Sequence, residues 1–134
     1  MKNSPPSHTI QLVEEAYRTW NASGPGAFLE FTTEGVELHD APELPDAQVW
    51  AGREAVLARV EDVAAAIGAR WADVDDVRAI GDQVLVSLTW RLERGSPTTI
   101  ACVYHVVSVD GDKIARIRVF LDQDAAARAA LSDR

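Results

Sequence analysis

The chain has 134 residues, 47% hydrophobic and 25% charged, a balance that suits one globular domain and excludes a disordered or fibrous chain. Its 21 acidic residues against 13 basic ones leave a formal charge of −8, a field that repels phosphate backbones and anionic lipid, so neither nucleic acid nor a membrane is an expected partner. No apolar run approaches the roughly 18 residues of a bilayer span, and the opening MKNSPPSHT lacks the apolar stretch of a signal peptide, which gives a cytoplasmic location as the expectation.

Residues 1–7 form a polar, Pro-bearing stretch expected to be a flexible tail, followed by a single domain over residues 8–134. Ser7 or Thr9 can cap a helix in which Ile10, Val13, Tyr17 and Trp20 recur on one face. The NASGPG stretch from Asn21 to Gly26 breaks it, and Pro25 suits the first turn of a second, short helix through Phe28, Leu29 and Phe31. A short strand over Val36–Asp40 follows, with Val36, Leu38 and Asp40 on one side and Glu37 and His39 on the other. Residues 41–51, with Pro42 and Pro45, read as an irregular loop. Gly52-Arg53-Glu54 then leads into a third helix striped by Val56, Val60, Val63 and Ile67.

From Gly68 the pattern has a period of two. Val84, Val86, Leu88, Trp90 and Leu92 alternate with Gln83, Leu85, Ser87, Thr89 and Arg91, so one face is buried. Turn signals at Gly81-Asp82, Arg94–Pro97 and Asp110–Asp112 separate this strand from Ala69–Ile80, Thr98–Val109 and Lys113–Leu121, an antiparallel meander. An Ala-rich closing helix over Asp122–Leu131 is the weakest element, being short. Cys102, flanked by Ile100, Ala101 and Val103, is expected as a buried thiol. Helices first and an antiparallel sheet afterwards indicate an α+β layer in which a twisted sheet wraps around helices.

Four strings, VEEAYRTWN (Val13–Asn21), VELHDAPELP (Val36–Pro45), WAGRE (Trp50–Glu54) and DGDKIARIRVFLD (Asp110–Asp122), stand in an order that resembles SnoaL-like proteins of the nuclear transport factor 2-like superfamily over nearly the whole chain. The resemblance implies a cystatin-like cone, a curved antiparallel sheet wrapped around three N-terminal helices with a pocket between them. It also implies a homodimer through the outer face of the sheet. Polyketide cyclases, ketosteroid isomerases, limonene epoxide hydrolases and members that only bind ligands share that fold, so membership fixes a container and leaves its contents open.

Asp40, at a strand end under a Pro-rich loop, is a candidate general base, and it falls where the resemblance to ketosteroid isomerases places theirs; the alternative is a loop acid capping backbone amides. Tyr17 falls where those isomerases hold an oxyanion-binding phenol, with core packing as its alternative. Tyr104 stands where that pattern has an acid, a departure that disfavours steroid isomerisation itself; a second phenol is the possible substitute donor. Asp122 falls where SnoaL-type cyclases hold an acid-base Asp, or else caps the terminal helix. Leu38, Trp20, Phe28, Trp50 and His39 complete the expected binding wall, with Trp50 a gate beside the loop. Arg116 and Arg118 belong to the sheet face opposite the apolar one. Arg53, Arg91 and Arg118 are the arginines available for an epoxide-hydrolase arrangement, which no motif signposts. His8, His39 and His105 lack ligand spacing, so neither a metal nor another cofactor is expected.

Two functions fit: a cofactor-free acid/base enzyme of isomerase or cyclase type acting on a hydrophobic carbonyl compound, or a non-catalytic ligand-binding or dimerisation module.

Overall fold

The computed structural model describes residues 7–132; the expected tail over residues 1–7 lies outside the described residues except for Ser7, which opens the first helix. Helix α1 (Ser7–Ser23) buries Val13, Ala16 and Tyr17 along the predicted face. Gly24 ends it at φ 94°, a left-handed value that favours glycine, and Pro25 opens the short α2 (Pro25–Phe28), which runs into a single 3₁₀ turn over Leu29–Phe31. Strand β1 (Thr32–His39) starts four residues before the expected Val36. Buried Thr32 accounts for the extension: its hydroxyl donates to the Leu29 carbonyl at 2.6 Å, and its own carbonyl accepts from Arg53.

A loop leads to β2 (Val49–Ala51) and then to α3 (Arg53–Ile67), which closes on Gly68 in the left-handed conformation. Strands β3 (Trp71–Ile80), β4 (Gln83–Arg91), β5 (Thr99–Asp110) and β6 (Lys113–Phe120) form the predicted meander, and α4 (Gln123–Ser132) follows. The sheet has six strands among the described residues, in the order β2-β1-β6-β5-β4-β3. Its neighbours are antiparallel except β1 and β6, which run parallel. That parallel pair lies inside the sheet, whose edges are β2 and β3, and it requires the chain to cross from β1 through α3 and the meander before returning beside β1. The end of α1 is tied to edge strand β3 by Asn21, whose side-chain amide donates to the Ala72 carbonyl at 2.7 Å and accepts from the Ala72 N–H at 3.2 Å.

The principal core lies on the concave face, where Val84, Val86, Leu88 and Trp90 of β4 meet α1, α2 and Val56 of α3. The alternation in β4 predicts one buried face, yet Leu85, Ser87 and Thr89 on its other face are buried as well. Part of the cause is α4, whose Ala126 and Ala130 pack on Leu85 and Val106 across the convex side. Cys102 corrects the expectation of a buried thiol, because it is exposed. It shares the convex side with Val106 but sits four residues along β5 from the patch that α4 covers. None of the described helices is long and apolar enough to cross a membrane.

The start of α4 depends on Asp122, whose Oδ2 accepts from the Ala125 N–H at 2.8 Å while its carbonyl accepts from the Ala126 N–H at 3.1 Å. Removing the acceptor leaves a first-turn donor unsatisfied, so Asp122→Ala should lower stability by about 1 kcal/mol in urea unfolding, and Asp122→Ser should recover most of it. An unchanged midpoint in Asp122→Ala would show that the cap contributes nothing.

Candidate functional site

Between α1, α2, α3 and the concave sheet lies a cavity of about 290 Å³, room for about ten waters at ~30 Å³ each. Apolar side chains make up most of its wall: Trp20 of α1, Phe28 of α2, Leu38 of β1, Val56, Val60 and Val63 of α3, and Val103, Ile117 and Val119 of β5 and β6. This explains the stripe of α3, much of which faces a hollow rather than a solid core. Three ionisable side chains interrupt the wall among the described residues: Asp40, Arg59 and His105.

His105 owes its place to strand alternation, which turns Ala101, Val103, His105 and Val107 inward and Cys102, Tyr104 and Val106 outward. It is 5% exposed and its Nδ1 lies 2.7 Å from the hydroxyl of Tyr17, itself 2% exposed. Of two neutral groups, phenol is the stronger donor and imidazole nitrogen the stronger acceptor, so Tyr17 donates to Nδ1 and the ring proton resides on Nε2. Tyr17 is held in turn by an edge contact with Phe28 at 5.0 Å between ring centres and a stacked one with Trp20 at 6.1 Å.

Asp40 follows the last residue of β1, with its backbone N–H donating to the Gln48 carbonyl at 3.1 Å. Its carboxylate is 5% exposed and pairs with Arg59 through two hydrogen bonds, Nε to Oδ1 at 3.0 Å and Nη2 to Oδ2 at 3.1 Å. Oδ2 also accepts from the Trp50 indole at 3.0 Å and the Gln48 N–H at 3.2 Å. The Arg59 guanidinium lies over the Trp50 ring at 5.2 Å, so Trp50 acts as a support behind the acid.

The structure thus brings Trp20, Phe28, Leu38 and Asp40 together around one hollow, sets Tyr17 behind its wall on His105, and places the other expected residues elsewhere. Tyr104 points to the convex side and packs with Leu85, Val106 and Phe120 beside α4. Asp122 caps α4 at the surface. His39 faces outward and bonds to Glu37 Oε1 at 2.9 Å, since Leu38 and Asp40 claim the inner side. Arg116 and Arg118 face outward as expected, donating to Ser108 Oγ at 3.2 Å and the Ala129 carbonyl at 3.3 Å. Arg59 and His105 were not among the expected site residues. Arg59 lies three residues after Val56 on an otherwise apolar stripe, and His105 alternates with inward valines; a polar group on a buried face was the signal in both cases.

A family model for the SnoaL-like domain matches residues 13–117. The chain belongs to the SnoaL-like domain family. Its fold is that of the nuclear transport factor 2-like superfamily, which ketosteroid isomerases and polyketide cyclases share. Among solved structures this SnoaL-like chain is similar to Bal32a from a soil-derived mobile gene cassette, at 19% identity over 88% of this chain and 92% of that one, with a TM-score of 0.69. TerC co-crystallised with polyporic acid aligns at 17% identity over 94% and 100% of the two chains, TM-score 0.67. A nuclear transport factor 2-like protein from Burkholderia xenovorans aligns at 22% over 97% and 98%, TM-score 0.61. Such identities establish the shared fold alone. No curated protein matches this SnoaL-like chain.

Burial sets the charge state of the Tyr17–His105 pair. Desolvation lowers the His105 pKa from 6.5 to about 4 and pushes the Tyr17 phenol well above its ordinary range, so both are neutral at pH 7. Unfolded histidine takes up its proton near pH 6.5 and the folded one only near 4, so in that window the unfolded state binds the extra proton. Stability therefore falls as pH drops from 6.5 toward 4, by as much as about 3 kcal/mol from this group, and levels off below. Urea unfolding of this SnoaL-like chain across that range should show the loss, and His105→Gln should flatten the dependence; equal pH slopes in the two proteins would contradict a buried neutral imidazole.

Proposed function

We propose that the cavity takes up a small, largely apolar carbonyl compound and moves a proton on it without a cofactor, as an isomerase or cyclase does. The Nε2–H of His105 donates to the carbonyl oxygen, Tyr17 fixes the tautomer, and Asp40 serves as the base. The observation that carries this reading is that Asp40 and the neutral His105 border one apolar cavity. A neutral imidazole is a competent electrophile when water is excluded, because it offers a fixed donor to the developing oxyanion. A carboxylate within reach of the carbon next to a polarised carbonyl completes the requirement for enolisation. The polyporic acid in the TerC crystal supports use of this fold as a small-molecule container.

A second reading, binding without turnover, is favoured by the four hydrogen bonds that Asp40 already accepts from Arg59, Trp50 and Gln48. A homodimer through the convex sheet face belongs to either reading; it would use the surface beside α4, where Cys102 is exposed.

The readings separate with a bicyclic ketone, 1-tetralone, as probe. Incubated with the protein in deuterated buffer, it should exchange its α-hydrogens faster than in buffer alone, as read by proton NMR. Asp40→Asn should slow that exchange at least ~100-fold while binding persists. Binding with no exchange would support the non-catalytic reading, and no binding would remove both.

A further inference from the structure

Six large apolar side chains among the described residues are exposed, and three of them, Leu44 at 36%, Ile67 at 40% and Leu121 at 44%, also line the cavity. Single apolar residues scattered on a surface are ordinary, whereas three that continue the wall of one hollow mark a place where apolar contact is made.

Strand direction brings the three to one end of the cone. Strands β1 and β6 run parallel, so the loop that carries Leu44 after β1 and Leu121, the residue after β6, leave the sheet at the same end. Strand β5 runs the other way and starts there, with Tyr104 opposite Phe120. Strand β4 in turn finishes there, since Arg91 pairs with Thr99, and the Arg91 carbonyl accepts from the Arg70 N–H at 2.9 Å, just past Ile67 at the end of α3. The sheet, α3 and the β1–β2 loop thus each contribute one apolar side chain to the mouth.

The hollow behind this rim is small, with room for about ten methylene-sized groups at ~30 Å³ each. A molecule confined to it leaves the outer surfaces of Leu44, Ile67 and Leu121 in water, whereas a hydrocarbon chain leaving through the mouth covers them. A second copy of the chain is a poor cover. Glu43 precedes Leu44, Asp46 lies just beyond it, Asp122 follows Leu121 and the whole chain carries −8, so two such mouths repel. A neutral hydrocarbon meets no such repulsion.

We infer that the ligand of this cavity carries a neutral hydrocarbon chain longer than the hollow, its inner part enclosed between α3 and the sheet and its outer part lying on Leu44, Ile67 and Leu121. The inference rests on the reading of the cavity as a container for a largely apolar carbonyl compound, and adds the length of that compound and the surface its outer part takes. Leu44 and Leu121 are on this account specificity-determining residues for chain length, acting through apolar area alone.

The test compares 2-nonanone, whose size of about ten non-hydrogen atoms matches the hollow, with 2-tridecanone, longer by about four methylenes, through tryptophan quenching on the native protein, since Trp20 and Trp90 line the cavity. Each methylene laid on the rim should gain about twofold, against about fourfold for full burial, so 2-tridecanone should bind at least ~10-fold more tightly. Leu44→Ser combined with Leu121→Ser, both at exposed positions, should abolish that gain and leave the affinity for 2-nonanone unchanged. Equal affinities of the two ketones for the native protein, or a gain that survives in the double variant, overturns this inference and leaves the carbonyl reading standing. A native dimer that the double variant dissociates in sedimentation velocity overturns it as well, by showing a second copy on the rim. Binding of 1-tetralone but of neither alkanone overturns this inference alone, and failure of all three ketones overturns both.

Discussion

The hydrogen bond between Tyr17 and His105 is the constraint around which the interior is arranged. It joins the first helix to the fifth strand across 88 residues of sequence, inside a core whose other members are almost all apolar. Either partner alone would be a buried polar group without compensation, at a cost of about 1–3 kcal/mol, so the pair specifies how α1 lies on the sheet as well as stabilising that position. The same bond fixes the tautomer of the imidazole, leaving its proton on Nε2. Fold and cavity wall are therefore coupled through one contact, because His105, a lining residue, is held by α1.

Asp40 is organised by different means. No regular element carries it; it follows the last residue of β1 and is held by a guanidinium, an indole and a backbone amide drawn from α3, β2 and the intervening loop. Burial of this carboxylate is tolerable because its charge meets Arg59 in a two-pronged pairing. The pairing also leaves the site nearly neutral overall, which suits a cavity whose remaining wall is hydrocarbon. His105 contributes a buried, uncharged imidazole to that wall, while Asp40 and Arg59 contribute a compensated ion pair.

The fold was legible in the sequence where periodicity was strong and local. The stripe Ile10–Val13–Tyr17–Trp20, the alternation through β4 and the Gly-Asp turns each determine an element by short-range geometry, and the meander follows from the brevity of the turns. The parallel pairing of β1 with β6 was not legible, since it depends on where the chain returns after α3 and three further strands rather than on a short turn. Nor was the burial of both faces of β4, because α4 is too short and Ala-rich to announce that it packs on the convex side. In the site, Tyr17 and Asp40 could be read from their positions on inward faces. Tyr104 could not be placed without knowing which face of β5 turns inward, and a one-residue difference in that choice exchanges it for His105. Arg59 was hidden because a positive charge on a helix ordinarily means solvent, and only the loop carboxylate opposite explains it.

The same alternation in β5 has a practical corollary at Cys102. Its neighbours Ala101 and Val103 form part of the cavity wall, while the thiol projects from the reverse of that wall and is exposed. A dye or spin label attached to the chain's single sulfhydryl would thus sit one sheet-thickness from whatever occupies the interior, near enough to register its arrival and separated from it by the backbone itself.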